Sequence, residues 1–300
     1  MIEIVKPDIN IDFTSKFKVS SVISIIVVVI ALYGLLSRME YGVDFRGGAE
    51  IQAKFDSPVS LDLMRTKLEK AGFSGVSAQT IGEFSDNEIL LKVAANEENL
   101  NEVTQKVRST LMKVFEDKKP DIRKIDIVGP KAGAALRVSG FQAMLWAILA
   151  IMIYIGLRFD FKYAPGAIVA LFHDVVIILG IFAFTNTEFT LQTVAALLAV
   201  IGYSVNDTVI VYDRVREHEE RDRELPLIKH INSAINSTLS RTVLTSGTTL
   251  FVSLSMFFFG GQAIKDFFFA ITLGIIIGTY SSIFVASPVT LFFNKVNAKA

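Results

Sequence analysis

Cysteine is missing from all 300 residues, which excludes disulfides, thiolate metal sites and a cysteine nucleophile. A basic excess is missing too: 30 Lys and Arg stand against 30 Asp and Glu, so no electrostatic footprint for nucleic acid exists. No GxxxxGK[ST] phosphate loop occurs. His218-Glu219-Glu220-Arg221-Asp222 begins like HExxH but lacks the second histidine, so no zinc site follows. Charge itself is missing locally. The runs 19–37, 138–157, 243–262 and 267–293 contain no Asp, Glu, Lys or Arg. Each approaches or exceeds the roughly 17 to 25 apolar residues that cross a bilayer.

Two further runs, 164–184 and 190–212, are equally apolar and carry one formal charge each, Asp174 and Asp207. The fold class expected is therefore a polytopic helical membrane protein with six transmembrane helices. Lys16 and Lys18 precede the first run, Arg38-Met39-Glu40 follows it, and no A-x-A-like site is present, which reads as a retained anchor and not a cleaved signal. With the N-terminus inside, the inner segments 1–18, 158–163, 213–242 and 294–300 carry three, two, six and two Lys or Arg. The short outer loops 185–189 and 260–266 carry Lys265 alone. The positive-inside rule then places both termini in the cytoplasm.

Segment 38–137 lies outside on this reading and is a folded domain of balanced charge. Residues 43–55 alternate apolar with polar, Ser60 to Ala71 places Leu61, Met64, Leu68 and Ala71 at helical spacing, and Gly72 ends it. Val76 to Phe84 and Glu88 to Ala94 read as strands around the turn residues Ser85-Asp86-Asn87. A helix from Glu97 to Glu116 follows, and Asp121 to Val128 alternates around Ile122, Ile125 and Ile127. The order β-α-β-β-α-β predicts an α+β ferredoxin-like domain between helices 1 and 2. Gly47-Gly48 is expected to form a bulge or tight turn at its first strand. Segment 213–242 reads as a solvated helical hairpin or a docking surface. Gly274-x-x-x-Gly278 allows close helix packing, expected within this chain. Phe257–Phe259 and Phe267–Phe269 around Gly260-Gly261 read as an interfacial aromatic belt, and Trp146 as lipid-facing.

Asp174 and Asp207 are the only formal charges inside the expected spans. An ionised Asp near the bilayer centre costs about 2.5 to 3.5 kcal/mol on insertion scales, so such residues face a bundle interior and a partner. Asp207 sits roughly 8 Å from the inner end of its span at 1.5 Å per residue. Arg241 stands at the inner start of the next span, and if the two spans are neighbours they pair at similar depth. Protonation would then break the pair and give a bistable element. Ser204, Asn206 and Thr208 make a polar cluster around Asp207 that plain packing does not need. His173 and Asp174 are either part of a proton relay or a structural pair bracing the bundle. Arg241 alone reads equally as an inner-edge residue that snorkels to the interface. An intramembrane aspartyl protease is disfavoured, because Asp207 lies in Tyr203-Ser204-Val205-Asn206-Asp207 and not in GxGD. An ion gradient is the natural energy source, one charge through 100 mV being worth about 2.3 kcal/mol.

Several motifs stand out along the chain: Gly42-Val43-Asp44-Phe45-Arg46-Gly47-Gly48, Val128-Gly129-Pro130, Leu157-Arg158-Phe159 and Phe172-His173-Asp174. Residues 201–217, from Ile201-Gly202-Tyr203 through Asp207-Thr208 to Arg214-Val215-Arg216-Glu217, are the most specific, and Asn236-Ser237-Thr238-Leu239-Ser240-Arg241-Thr242 completes the set. Together they resemble the SecD/SecF family of the resistance-nodulation-division superfamily. Arg46 stands where the family often has a small residue. The resemblance implies a non-enzymatic, proton-coupled subunit without cofactor or metal, in a bacterial inner membrane. It implies partnership with SecD, the SecYEG channel, YajC and YidC, the proton-motive force being used on an unfolded preprotein. It also implies that Asp207 and Arg241 are a membrane-embedded acid and its basic partner, and with Asp174, read from its place inside a span, they make the expected relay. Two alternatives stay open: a half-size proton-coupled exporter of a lipid or small amphiphile, and a scaffold of the translocon that moves no protons.

Overall fold

Apolar length decides the architecture: six helical stretches long and apolar enough to cross a membrane form a bundle, and a four-stranded sheet with two helices caps one end. The structure is a computed structural model and describes residues 10–73, 76–81, 86–93, 100–159 and 161–297. Parts of the expected termini 1–18 and 294–300, the end of the Val76–Phe84 run, Ala94 and the Glu97 start of the second domain helix lie outside the described residues.

The chain enters through α1 (Phe17–Arg38) and a single turn α2 (Val43–Arg46), then builds the domain from β1 (Gly48–Lys54), α3 (Leu61–Lys70), β2 (Ser77–Ile81), β3 (Glu88–Val93), α4 (Leu100–Val114) and β4 (Asp121–Val128). It returns through α5 (Pro130–Arg158), α6 (Ala164–Thr185), α7 (Leu191–Arg221), α8 (Leu227–Phe259) and α9 (Gln262–Ser281). One wide π-turn, Ser282–Ala286, joins α9 to α10 (Ser287–Asn297).

The sheet order β2-β3-β1-β4 is antiparallel throughout, the split motif expected from the element order. Ile51, Ala53, Ile89, Leu91 and Val93 turn one face onto Met64, Leu68, Val107 and Leu111 of α3 and α4. Opposite β4 the register slips between Gln52 and Ala53 of β1, which leaves Arg123 out of the strand pairing. That bulge sets Ile122 and Ile125, three residues apart, on the same core face. Ser60 caps α3 by accepting from the Leu63 amide at 3.4 Å.

The alternation at Val43 and Phe45 reads as the start of a strand, but the structure makes it the turn α2, and β1 starts at Gly48. Both side chains are buried because the turn is wedged between the sheet and the helices, not because it alternates across a sheet. Gly47 leaves the turn at φ +82°, and a Cβ there would lie 2.7 Å from Pro130 Cα, so the first residue of α5 leaves no room for a side chain. Helix α5 accordingly starts at Pro130, eight residues ahead of the expected span, with proline at its first position.

Within the bundle α6 and α7 are central while α1, α5 and α8 are peripheral. Val22, Ile25, Ile26, Val29 and Ile30 of α1 are exposed and make a lipid-facing wall, as does Trp146 of α5. Gly274 and Gly278 of α9 lie against Val200 and Ser204 of α7, so this close approach is internal to the chain. The expected hairpin between spans is largely a continuation of α7 and α8 beyond Tyr212 and before Val243. Tyr212, Val215, Ile231, Ala234 and Ile235 give it an apolar core joined to Tyr163. Its outer surface carries the i,i+4 pairs Arg216–Glu220 at 3.0 Å and Glu217–Arg221 at 2.6 Å. Asn232 and Asn236 of α8 accept from the amides of Phe13 and Ile11 at 2.9 and 2.8 Å, which fastens the N-terminal segment to this end.

Candidate functional site

Two carboxylates are buried in the middle of the bundle, each 1% exposed, and their surroundings differ sharply. Asp174 of α6 is fully supplied. His173 Nδ1 lies 2.9 Å from Oδ1, and Oδ2 accepts from Ser204 Oγ of α7 at 2.6 Å and from Ser281 Oγ of α9 at 2.8 Å. With the carboxylate ionised, the imidazole donates through Nδ1–H. The acid thereby ties three helices together. The other ring nitrogen, His173 Nε2, is buried and has no hydrogen-bond partner among the described residues. The ring stacks beside Tyr280, whose hydroxyl donates to Ser20 O at 3.2 Å.

Asp207 of α7 is under-supplied. Its Oδ2 accepts only from Ser246 Oγ of α8, at 3.4 Å, and its Oδ1 has no partner among the described residues. Even that one donor is contested. Ser246 has a single O–H, and Thr279 Oγ1 of α9 lies closer to it at 2.8 Å while itself donating to Ile275 O at 2.7 Å. Tyr203 OH donates to Ser246 from the other side at 3.2 Å. A buried carboxylate with a free oxygen is costly in proportion to its missing donors.

The polar residues expected around Asp207 divide by helix face. Ser204 and Thr208 are buried with it, Thr208 donating back to Ser204 O at 3.3 Å, whereas Asn206 points outward and is exposed. The expected Asp207–Arg241 pair does not form in this chain. Arg241 is exposed and makes no side-chain hydrogen bond or ion pair among the described residues. The reason is register. In the antiparallel α7–α8 hairpin Ser246 is the residue level with Asp207, and Arg241 lies about 7.5 Å nearer the hairpin turn at 1.5 Å per residue. Asp207 itself sits near the midpoint of α7, because that helix runs to Arg221 and does not end at Tyr212.

Ser246, Thr279 and Ser281 complete the site and are absent from the motif reading, while Tyr203 lies in its most specific motif with no role assigned to it there. Their only signal in sequence is hydroxyls at helical spacing inside charge-free runs. A second hydroxyl pair, Ser253 with Thr272 at 2.5 Å, stands seven residues along both helices from Ser246 and Thr279. No group of three or more His, Cys, Asp or Glu able to hold a metal occurs among the described residues.

The signature residues gather where the domain meets the helices. Gly129 N-caps α5, and Pro130 is its first residue. Gly42 donates its amide to Phe189 O at 2.9 Å, and Asp44 Oδ2 accepts from the Leu191 amide at 3.0 Å. Phe45 lies 5.2 Å from Phe189, ring centre to ring centre. Arg46 reaches Glu188 at 3.9 Å, which gives the unusual residue of the signature a partner.

Comparison with known proteins supplies the family. The profile described as protein export membrane protein SecD/SecF, C-terminal, matches residues 106–296, and the SecD/SecF GG motif profile matches residues 37–59. The chain belongs to the SecD/SecF protein-export family. Its relatives include the protein translocase subunit SecF of Calditerrivibrio nitroreducens, 40% identical over 302 aligned residues and 99% of each chain. The SecF subunit of Rickettsia rickettsii is 41% identical over 290 aligned residues, 96% of this chain and 93% of that one. The crystal structure of SecDF from Thermus thermophilus, a translocon-associated membrane protein, superposes with a TM-score of 0.85 at 31% identity. SecDF in its super-membrane-facing form superposes with a TM-score of 0.71 at 33% identity. In both cases 97% of this chain is covered but only 40% of the SecDF chain, so the protein spans less than half of those larger molecules. As a SecD/SecF member it is a multi-pass membrane protein and an accessory subunit of Sec protein translocation.

Proposed function

We propose that Asp207 is the group through which the SecD/SecF member takes up and releases protons, and that this cycle drives preprotein movement on the outer side of a bacterial inner membrane. The observation that carries the reading is the free Oδ1 of Asp207, buried among donors that serve each other first. A proton placed on that oxygen displaces no existing hydrogen bond. Asp174 has no such free oxygen, because both of its oxygens already lie against hydrogen-bond partners. Asp174 and His173 on this reading are the fixed frame, and Asp207 is the movable charge.

The positive-inside distribution supports a cytoplasmic placement of both termini and of the hairpin, with the sheet domain outside. A SecD-type chain is the proposed partner, and its contact face is suggested by what this chain leaves uncovered. Gly202 and Asn206 of α7 and Arg241 and Gly247 of α8 are exposed at bundle depth. Amide and guanidinium groups in lipid are costly, so these positions suit the helices of a partner. Arg241 then serves Asp207 through space, at an interface and not within one chain. Association with SecYEG, YajC and YidC belongs to the same reading, as does the absence of any covalent chemistry by the subunit.

Replacing Asp207 with Asn removes the titratable proton and keeps the size. In vesicles carrying the full complex, the variant is expected to lose gradient-dependent stimulation of export while still co-purifying with the SecD-type chain. Normal stimulation by Asp207→Asn would overturn the proton reading and leave a scaffold role in its place.

A further inference from the structure

The signature at residues 42–48 is a sequence motif that a proton cycle at Asp207 does not use, and it lies far from that acid. Asp207 is near the middle of α7, whereas Asp44 meets the first amide of the same helix. What the signature touches is informative. Glu40 O accepts from the Phe189 amide at 2.7 Å and Gly42 donates to Phe189 O at 2.9 Å, a short zipper between the chain after α1 and the loop entering α7. Asp44 then supplies an acceptor to the Leu191 amide, and a carboxylate at a helix N-terminus is favoured by the helix dipole as well. Glu188, next to this zipper, holds Lys92 of β3 at 2.6 Å, with the two side chains only 13% and 10% exposed.

Close approach shows how tightly the parts are joined. A Cβ on Gly42 would lie 2.6 Å from Thr190 Cγ2, the cap of α7, and one on Gly48 would lie 2.4 Å from Val93 O in β3. The backbone between those glycines therefore spans the start of α7 at one end and the sheet at the other. Phe45, 2% exposed, fills the gap and stacks on Phe189, which also meets Tyr41 and Phe141. Beside the joint, a polar cleft of about 350 Å³ separates the open face of the sheet from the ends of α7 and α9, lined by Glu50, Lys124, Asp126 and Asp266 among others. Sheet and bundle thus meet at the signature and stand apart next to it, which is the form of a pivot.

We propose that residues 42–48 are the joint that carries displacement of α7 into the sheet domain, with Asp44 and the Lys92–Glu188 pair as its positioning residues. The proposal rests on the proton reading of Asp207 and adds the route by which movement there leaves the bundle. Asp44 holds the end of the helix on which Asp207 rides, and Lys92–Glu188 ties the loop at that end to the middle of the sheet. Neither touches the proton site, so cutting them separates proton binding from its mechanical result.

The test uses the full complex in vesicles, with two readouts: gradient-dependent export stimulation, and a pH-dependent environmental change at a fluorophore placed on a single introduced cysteine in α8, the natural chain having none. Asp44→Ala is expected to lower stimulation at least several-fold while the fluorescence response to pH persists. Asp44→Asn, which keeps an acceptor for Leu191, is expected to retain most of it. Lys92→Glu and Glu188→Lys are each expected to behave as Asp44→Ala does, and the double exchange to recover a substantial part of the loss. Full stimulation by Asp44→Ala in a chain of normal thermal stability, or single exchanges that the double does not improve, would overturn the joint. Asp207→Asn separates the two proposals: if it abolishes both readouts while the joint variants change neither, proton coupling stands and the joint falls. If Asp207→Asn changes neither, the proton reading falls first.

Discussion

Ser204 of α7 donates to Asp174 of α6 at 2.6 Å, and Asp207 follows Ser204 by three residues on the same helix. One helix therefore carries both a strut to the saturated acid and the unsaturated acid itself. Rotation or sliding of α7 strains the first contact whenever it re-exposes the second, so the resting position of Asp207 is set by a hydrogen bond it does not make.

Ser204→Ala should accordingly cost stability before it costs coupling. It removes a hydrogen bond to a buried carboxylate, worth about 1 to 3 kcal/mol. Thermal unfolding in detergent should show a lowered midpoint, and an unchanged midpoint would mean that Asp174 does not brace the bundle.

Two glycines of the bundle should respond in opposite ways. A Cβ on Gly274 would lie 2.2 Å from Val200 Cγ2, so Gly274→Val overpacks the α7–α9 contact at a cost of about 1 to 3 kcal/mol or more. Gly202 has nothing within 4 Å, so Gly202→Val leaves the isolated chain intact. Its effect should appear only as weakened co-purification with the SecD-type chain. A destabilised isolated Gly202→Val chain would contradict the exposed-face reading.

Arg241 should tolerate exchange for another cation. It makes no forked hydrogen bonds among the described residues, so on the proton reading its charge and not its planar geometry is what serves Asp207. Arg241→Lys is expected to keep gradient-dependent stimulation and Arg241→Gln to reduce it about tenfold, equivalent to about 1.4 kcal/mol. Equal loss in both variants would point to a bidentate contact with the partner instead.

Glu50 of β1 gives a pH dependence outside the membrane. Burial pushes its carboxyl above the usual range, Lys92 pulls it down, and Asp44, Asp126 and Glu188 push it up further. A raised folded-state value means that the folded domain holds this proton more tightly than the unfolded chain does. The stabilising effect is complete below the unfolded value of about 4.3 and is lost as pH rises through the folded one. Glu50→Gln should therefore raise the unfolding temperature near pH 7 to 8, with the gain shrinking toward pH 4. A gain that is constant with pH would mean that ionisation of Glu50 is not its cause.

Much of the architecture could be read from the chain because it depends on local pattern: charge-free length for the spans, element order for the sheet, motif for the family. What could not be read depends on partners far away in sequence. Ser246, Thr279 and Ser281 are ordinary small residues of apolar helices until folding sets them beside Asp207 and Asp174. Arg241 looked like the partner of Asp207 because depth was counted from the ends of spans, and both helices run on past those ends. Val43 and Phe45 alternate like a strand, but the packing that buries them comes from Phe189 and the start of α5, about 85 to 145 residues later. Ile122 and Ile125 share a face only because a bulge at Arg123 shifts the count.

The π-turn at Ser282–Ala286 adds a residue to one winding of an otherwise regular helix, and Ser287 Oγ records it by donating five residues back to Ser282 O. An extra residue changes the angular phase of everything after it by about 100°, the angle of one residue at 3.6 per turn. Before the turn Ser281 addresses Asp174, and after it Thr290 meets Tyr212 at 2.9 Å near the hairpin. Winding 282–286 as a regular helix with every residue kept would therefore leave only one half of the helix in phase with its neighbours, whereas removing the one surplus residue gives a regular turn with both halves in place. The wide turn is a local shift of register, and a single-residue deletion elsewhere in this helix, where no surplus exists to absorb it, is the more damaging change.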